Sequence, residues 1–154
     1  MMESNSHKQR IVVGIDGSDQ SREALEWAIG EARLRGAKLE VVHAWIWPSL
    51  SSEHPSFPAI TDPDLEAKAF LAKFTKEVLE KVPASDLEIE ELTLVGPAAL
   101  VLDEQAEGAD LLVVGARGHG GFTGLLLGSV SQQVTHHAPC PVVIIRKHSD
   151  RAGH

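Results

Sequence analysis

The chain has 154 residues, 43% of them apolar, enough for one domain with an ordinary buried core and too apolar for a disordered chain. Twenty-two acidic residues against 14 basic ones leave a formal net charge of −8, which argues against non-specific partnership with nucleic acid or an anionic membrane surface. The single cysteine, Cys140, excludes an intramolecular disulfide and suits a reducing compartment. No apolar run approaches the ~18 residues of a membrane span. The polar start MMESNSHKQR has no apolar stretch of the signal-peptide kind. The expectation is a soluble cytoplasmic protein.

In chain order, RIVVGID (Arg10–Asp16) is a β-branched run ending in the turn signal GSD, as expected of a strand buried on both faces. Ser18 or Asp19 is the expected N-cap of a first helix, with Leu25, Ala28, Ile29 and Ala32 at helical spacing and Gly36 as its stop. KLEVVHAW (Lys38–Trp45) reads as a second strand. From Ile46 to Pro63 the chain loses all periodicity and carries Pro48, Pro55, Pro58 and Pro63, the pattern of a long lid, binding or disordered loop. Ala67, Leu71, Phe74, Val78 and Val82 then mark one face of a helix starting at Asp64 and closed by Pro83.

LEIEELTLV (Leu87–Val95) is the third expected strand, and Gly96-Pro97 opens a short helix that Gly108 ends. ADLLVVG is the fourth strand, a glycine-rich stretch follows, and a last helix runs from Ser129 to about His137 before the fifth strand, PVVIIR. Strand and helix alternate without a hairpin signal, which is the pattern of an α/β fold with a parallel sheet and helices on both faces.

Ligands of such sheets sit beyond the carboxyl ends of the strands. Two loops there are chemically unusual: GIDGSD after the first strand, and GARGHGGFTGLLLGS (Gly115–Ser129) after the fourth. Gly115 and Gly118 can take φ > 0 and let backbone approach a ligand. Gly128-Ser129 opens a helix whose first N–H groups and positive dipole end suit a phosphate, with Ser129 as cap or hydroxyl donor and Ser131 in the same turn. Glycine-rich surface loops without ligands are common, so composition alone leaves both readings open. The loop is not a P-loop, since no lysine follows its glycines. It is not a dinucleotide fingerprint either, which belongs after the first strand, where only Gly14 and Gly17 are spaced as GxxG.

The spacing Gly115-x2-Gly118-x9-Gly128-Ser129 closely resembles the nucleotide loop of the universal stress protein family. RIVVGIDGS, VVHAW, ADLLVVGARGHGG, LGSVSQQV and HHAPCPVVIIR resemble that family in order and separation, over roughly Lys8 to Lys147. The resemblance implies a Rossmann-like, five-stranded parallel sheet in the order 3-2-1-4-5. It implies a flexible lead at 1–9, a nucleotide-binding domain over 10–147 and a tail at 148–154. It also implies ATP between the ends of the first and fourth strands, carried with magnesium.

By position, Asp16 matches the acid near the ribose and the metal-phosphate region, with Gly14 and Ile15 beside it. Ala44 matches the position that touches adenine, where many relatives carry valine, which makes this pocket slightly roomier. Val114 walls the base. Gly115, Gly118, Gly128 and Ser129 match the phosphate and ribose loop, and Val130 and Ser131 add first-turn amides. Arg117 and His119 stand at variable loop positions within reach of phosphates. The acid at Asp16 also suits a helix N-terminus without any ligand, and the two roles are compatible.

Other chemistry-bearing residues read as structural. His43 is expected as a satisfied histidine of a buried strand, Cys140 as packing, and the Phe70–Phe74 pair as core. His136 and His137 fall on different helix faces, and no zinc-binding spacing occurs. Trp45 and Trp47 either cover the nucleotide or pack ordinarily. The functional expectation is a dimeric, ATP-binding stress-response protein whose occupancy controls conformation or contact with an unknown protein partner. Its rivals are a slow ATPase or adenylyl-transfer enzyme and a nucleotide-free interaction module. The apolar fifth strand, an edge in that order, is where the resemblance places the homodimer contact.

Overall fold

The computed structural model describes residues 8–47, 62–118 and 127–146. Five strands, β1 (Arg10–Gly14), β2 (Lys38–Trp45), β3 (Ile89–Val95), β4 (Leu111–Gly115) and β5 (Val142–Ile145), form one parallel sheet in the order β3-β2-β1-β4-β5. Register runs Ile11 beside Leu39 and Leu111, and Leu112 beside Val142. The α/β class and the strand order thus agree with the sequence reading.

Four helices alternate with the strands: α1 (Asp19–Arg35), α2 (Pro63–Lys81), α3 (Ala98–Gln105) and α4 (Ser129–His137). Ser18 is the N-cap of α1 and its hydroxyl accepts from the Ser21 N–H at 3.1 Å. Gly36 closes α1 at φ 63°, a left-handed turn that a side chain would resist, and its N–H reaches the last carbonyls of the helix. Asp62 caps α2, so Pro63 lies in the first turn of that helix rather than in the preceding loop. A proline is well placed there because that turn needs no N–H from it. The rest of the expected loop, 48–61, lies outside the described residues.

The alternation of side chains along each strand divides the core in two. Ile11, Val13, Leu39 and Val41 face α1 and α2, where Leu25, Ile29, Leu71, Phe74 and Val78 meet them. Val12, Val42, Leu112 and Val114 face α3 and α4, where Ala99, Leu102 and Val134 meet them. Leu25 and Ile29 are fully buried, and each such side chain contributes about 1.5–3 kcal/mol through burial. Phe74 is core as expected, whereas Phe70 lies at the surface, 38% exposed, with its ring against His43.

Every strand that was expected longer is shorter in the structure. The Arg10–Asp16 run is strand only to Gly14: the Ile15 N–H still bonds the Val42 carbonyl at 2.9 Å, and Asp16 lies in the turn that reaches α1. The third strand begins at Ile89 rather than Leu87, and the fifth stops at Ile145.

Candidate functional site

The connections leaving β1 and β4 go to opposite sides of the sheet, which opens a crevice at their carboxyl ends. A cavity of about 450 Å³ lies there. Its inner wall is apolar: Ile15, Val42 and Ala44 from the β1–β2 side, Val114 from β4, and Ala98 and Leu102 from α3. Its mouth is polar, with Asp16 and Ser18 on one side and Arg117, Gly118, Gly128 and Ser129 on the other. Val130, Ser131 and Gln132 come from the first turn of α4, and Gly14 and Gly115 sit at the strand ends. All the sequence-predicted site residues that the structure describes therefore line one cavity; His119 lies outside the described residues.

The glycines are needed for a reason other than the expected one. Neither Gly115 nor Gly118 is among the residues with positive φ, and Gly128 has φ −78°. What they lack is room for a Cβ. At Gly115 it would stand 2.9 Å from the Gln20 Cβ and 3.1 Å from the Gln20 backbone. At Gly118 it would collide with the Asp16 carboxylate, and at Gly128 it would lie 3.3 Å from the Arg117 Cα. The positive φ belongs instead to Gly17, at 87°, in the turn between β1 and α1.

The base of the glycine loop is tied by short hydrogen bonds. The Ala116 carbonyl accepts from the Gly128 N–H at 2.6 Å and from the Ser131 hydroxyl at 2.6 Å, while the Arg117 N–H donates to Gln20 Oε1 at 2.6 Å. Ser131 is 2% exposed, so its hydroxyl braces the loop, and its amide is the part left for an anion. Gly128, not Ser129, occupies the cap of α4, and no side chain among the described residues caps that helix. The N–H groups of Ser129, Val130 and Ser131 belong to the first turn and have no acceptor within the helix, and all three residues line the crevice. A capping side chain would compete for these donors.

On the opposite lip, Asp16 is exposed, and its Oδ1 accepts from the Ser18 N–H at 2.9 Å and the Ser18 hydroxyl at 2.5 Å. Those bonds hold the carboxylate at the entrance, facing the loop that carries Arg117, the cationic side chain among the described lining residues. Among the described residues no group of three or more His, Cys, Asp or Glu side chains could hold a metal ion.

Sequence reasoning missed the α3 contribution, Ala98 and Leu102, along with Val42, Ser18, Ser21, Leu127 and Gln132. One trace of Leu102 was present. A Cβ at Gly14 would meet its Cδ1 at 2.7 Å, so the glycine of RIVVGID makes space for a helix 88 positions along the chain. Trp45 and Trp47 do not line the cavity; their rings meet edge to face at 5.0 Å, and Trp47 is 56% exposed. Cys140 packs against the α3–α4 layer, and burial pushes its thiol pKa up, as suits a structural cysteine.

Residues 8–146 match the model of the universal stress protein family. A universal stress protein of Thermus aquaticus is 38% identical over 88% of this chain and 97% of its own length. One from Mycolicibacterium smegmatis is 37% identical over 88% of this chain and 45% of its own, so the chain spans less than half of that relative. The fold superposes on a crystal structure of a universal stress protein in complex with cAMP, with TM-score 0.66, 32% identity, and coverage of 90% of this chain and 97% of that one.

Proposed function

The chain belongs to the universal stress protein family, and from that premise we propose that its crevice binds an adenine nucleotide. The observation that carries the proposal is the pairing of an apolar slot with a backbone cradle at one strand-end crevice. Val42, Ala44, Leu102 and Val114 offer apolar walls to a base, and a volume of about 450 Å³ falls within the range of small-molecule sites. The amides of Ser129, Val130 and Ser131 and the guanidinium of Arg117 offer donors to phosphate at the other end. The cAMP held by the relative is a ligand of this shape and charge.

In its finer form the proposal is ATP, held with magnesium, in a dimeric stress-response protein whose occupancy controls conformation or contact with a protein partner. The lone carboxylate of Asp16 is too small a donor set to hold a cation by itself, and magnesium characteristically shares one carboxylate with nucleotide phosphates. Bound there, the ion would offset the repulsion between Asp16 and the phosphates. No catalytic residue is assigned. The dimer would form through β5, an edge strand whose four residues are all half-buried and carry neither lysine nor proline to block pairing.

Nucleotide-stripped protein tests both parts. At about 100 times its dissociation constant a ligand adds roughly 2.7 kcal/mol to folding, which for this size raises Tm by roughly 5–11 °C. AMP, cAMP and magnesium-ATP, titrated separately, rank the nucleotides. Folded protein that shows no shift with any of them at millimolar concentration has no nucleotide site here. Light scattering on the same sample should give twice the chain mass, and a monomer at micromolar concentration removes the β5 contact.

A further inference from the structure

Ile15, the residue before Asp16, is held from two sides. Its N–H donates to the Val42 carbonyl at 2.9 Å, and its own carbonyl lies 2.9 Å from His43 Nδ1. A carbonyl oxygen can only accept, so the proton of this contact belongs on Nδ1. Val42 and His43 are neighbours in β2 and point to opposite faces of the sheet. Val42 lines the crevice, whereas His43 lies outside it on the α1–α2 face.

The imidazole is fixed from its far side too. Its ring centroid is 4.7 Å from that of Phe70, and Phe70 lies 6.1 Å from Phe74. The Arg22 guanidinium stands 4.8 Å over Phe74 and pairs with Glu77 at 3.4 Å. His43 is thus a wedge between the end of β1 and helix α2. The peptide it grips joins Ile15 to Asp16, is planar and is trans. Holding the Ile15 carbonyl toward the α2 face therefore directs the Asp16 N–H the other way, toward the crevice, and sets where the carboxylate stands against Gly118.

We infer that His43 is a positioning residue of the crevice: through its Nδ1 bond to the Ile15 carbonyl it orients the Ile15–Asp16 peptide, and through Phe70 it ties that orientation to the seat of α2. The inference rests on the nucleotide reading of the crevice. His43 acts from outside the cavity, on backbone, so its effect on a ligand is separable from its effect on the core.

The test uses the whole chain and two readouts, AMP titration and amide hydrogen exchange at Ser18, whose N–H donates to Asp16. His43→Phe keeps a ring against Phe70 and removes the donor. His43→Asn puts an amide N–H close to the place of Nδ1. His43→Phe should weaken AMP about fivefold and speed Ser18 exchange by a similar factor, the loss of roughly one hydrogen bond. His43→Asn should return both to within about twofold of the parent. Should His43→Phe fail to fold, His43→Leu carries the same comparison. If the donor-less variant keeps parental exchange, or if Asn is as impaired as Phe, the residue only fills space and the inference is overturned. If the parent binds no AMP while the exchange pattern appears as stated, the nucleotide reading falls and the positioning of the turn stands.

Discussion

The two ends of the sheet hold polar groups in opposite ways. At the amino end, Arg10 Nη1 donates to Glu40 at 2.8 Å and to the Gln105 carbonyl at 2.9 Å, and Nη2 donates to the Glu107 carbonyl at 2.6 Å. The Arg10 N–H is taken by Asp110 at 2.8 Å. Donors there are spent on acceptors of the same chain. At the carboxyl end, helix α4 begins without a side-chain cap among the described residues, and three glycines keep Cβ atoms away from the loop. Polar residues that satisfy one another hold a fold together. Backbone donors left facing a cavity suit a ligand, because whatever enters can complete their hydrogen bonds.

This contrast predicts stability without binding at one end and binding without stability at the other. The largest effect is expected at the amino end. Arg10→Met leaves Glu40, whose side chain is 9% exposed, without its nearest cation. The cost is about 3 kcal/mol, the low end for breaking a buried pair, since Arg10 itself is partly exposed and Lys38 stands 3.9 Å away. Tm should fall by roughly 6–12 °C, while AMP affinity of the folded protein stays within about twofold. A folded Arg10→Met that no longer binds AMP would break the contrast.

An intermediate effect belongs to the crevice. Gly128→Val puts a branched side chain 3.3 Å from the Arg117 Cα, at the entrance to the amide cradle, on backbone that any residue adopts. Loss of unliganded stability should be about 1–2 kcal/mol, the lower part of the range for overpacking, and most of the AMP-dependent rise in Tm should vanish. Equal damage to unliganded Tm and to AMP binding would mean that the loop is structural first.

The smallest effect concerns an exception on the amino side. Asp103 of α3 has a buried Oδ1 without a hydrogen-bond partner among the described residues. Burial pushes its pKa up, and the nearby His137 only partly opposes this. An acid whose folded pKa is raised binds its proton more tightly when folded. Its favourable contribution is therefore complete below the ordinary carboxyl value of 3.8 and declines as pH rises through the raised value. Asp103→Asn should flatten that part of the Tm–pH curve and leave neutral-pH Tm equal or slightly higher. A parent curve that shows no such decline, or one that Asp103→Asn leaves unchanged, removes the argument.

The elements were legible because each has a local cause. Ser18, Gly36 and the Leu25–Ala28–Ile29–Ala32 stripe specify α1 without reference to the rest of the chain, and α4 runs from Ser129 to His137 as its pattern predicts. Pro63 was misassigned to the loop because a proline breaks a helix interior yet suits its first turn, and only the cap at Asp62 tells the two apart. The second strand, Lys38–Trp45, has the expected bounds, whereas the other four are shorter than their apolar runs because β propensity continues past the regular ladder. A glycine in a loop suggests a special backbone angle, whereas the constraint at Gly115 and Gly118 is steric. The atoms a Cβ would strike at Gly115 and Gly118 belong to Gln20 and Asp16, 95 and 102 residues earlier.

By itself the sequence determined the alternation of strands and helices, the two unusual loops and the family whose pattern they match, since all of these are written in spacing along one chain. The strand order came with that family and was not readable from the pattern. The tertiary structure alone decided that α3 walls the crevice with Ala98 and Leu102, that Gln20 ties the Arg117 amide, and that His43 grips the Ile15 carbonyl. Those contacts join segments brought together by parallel crossovers, where neighbours in space lie tens of residues apart in sequence. No local period records which side chain will arrive opposite a given backbone group.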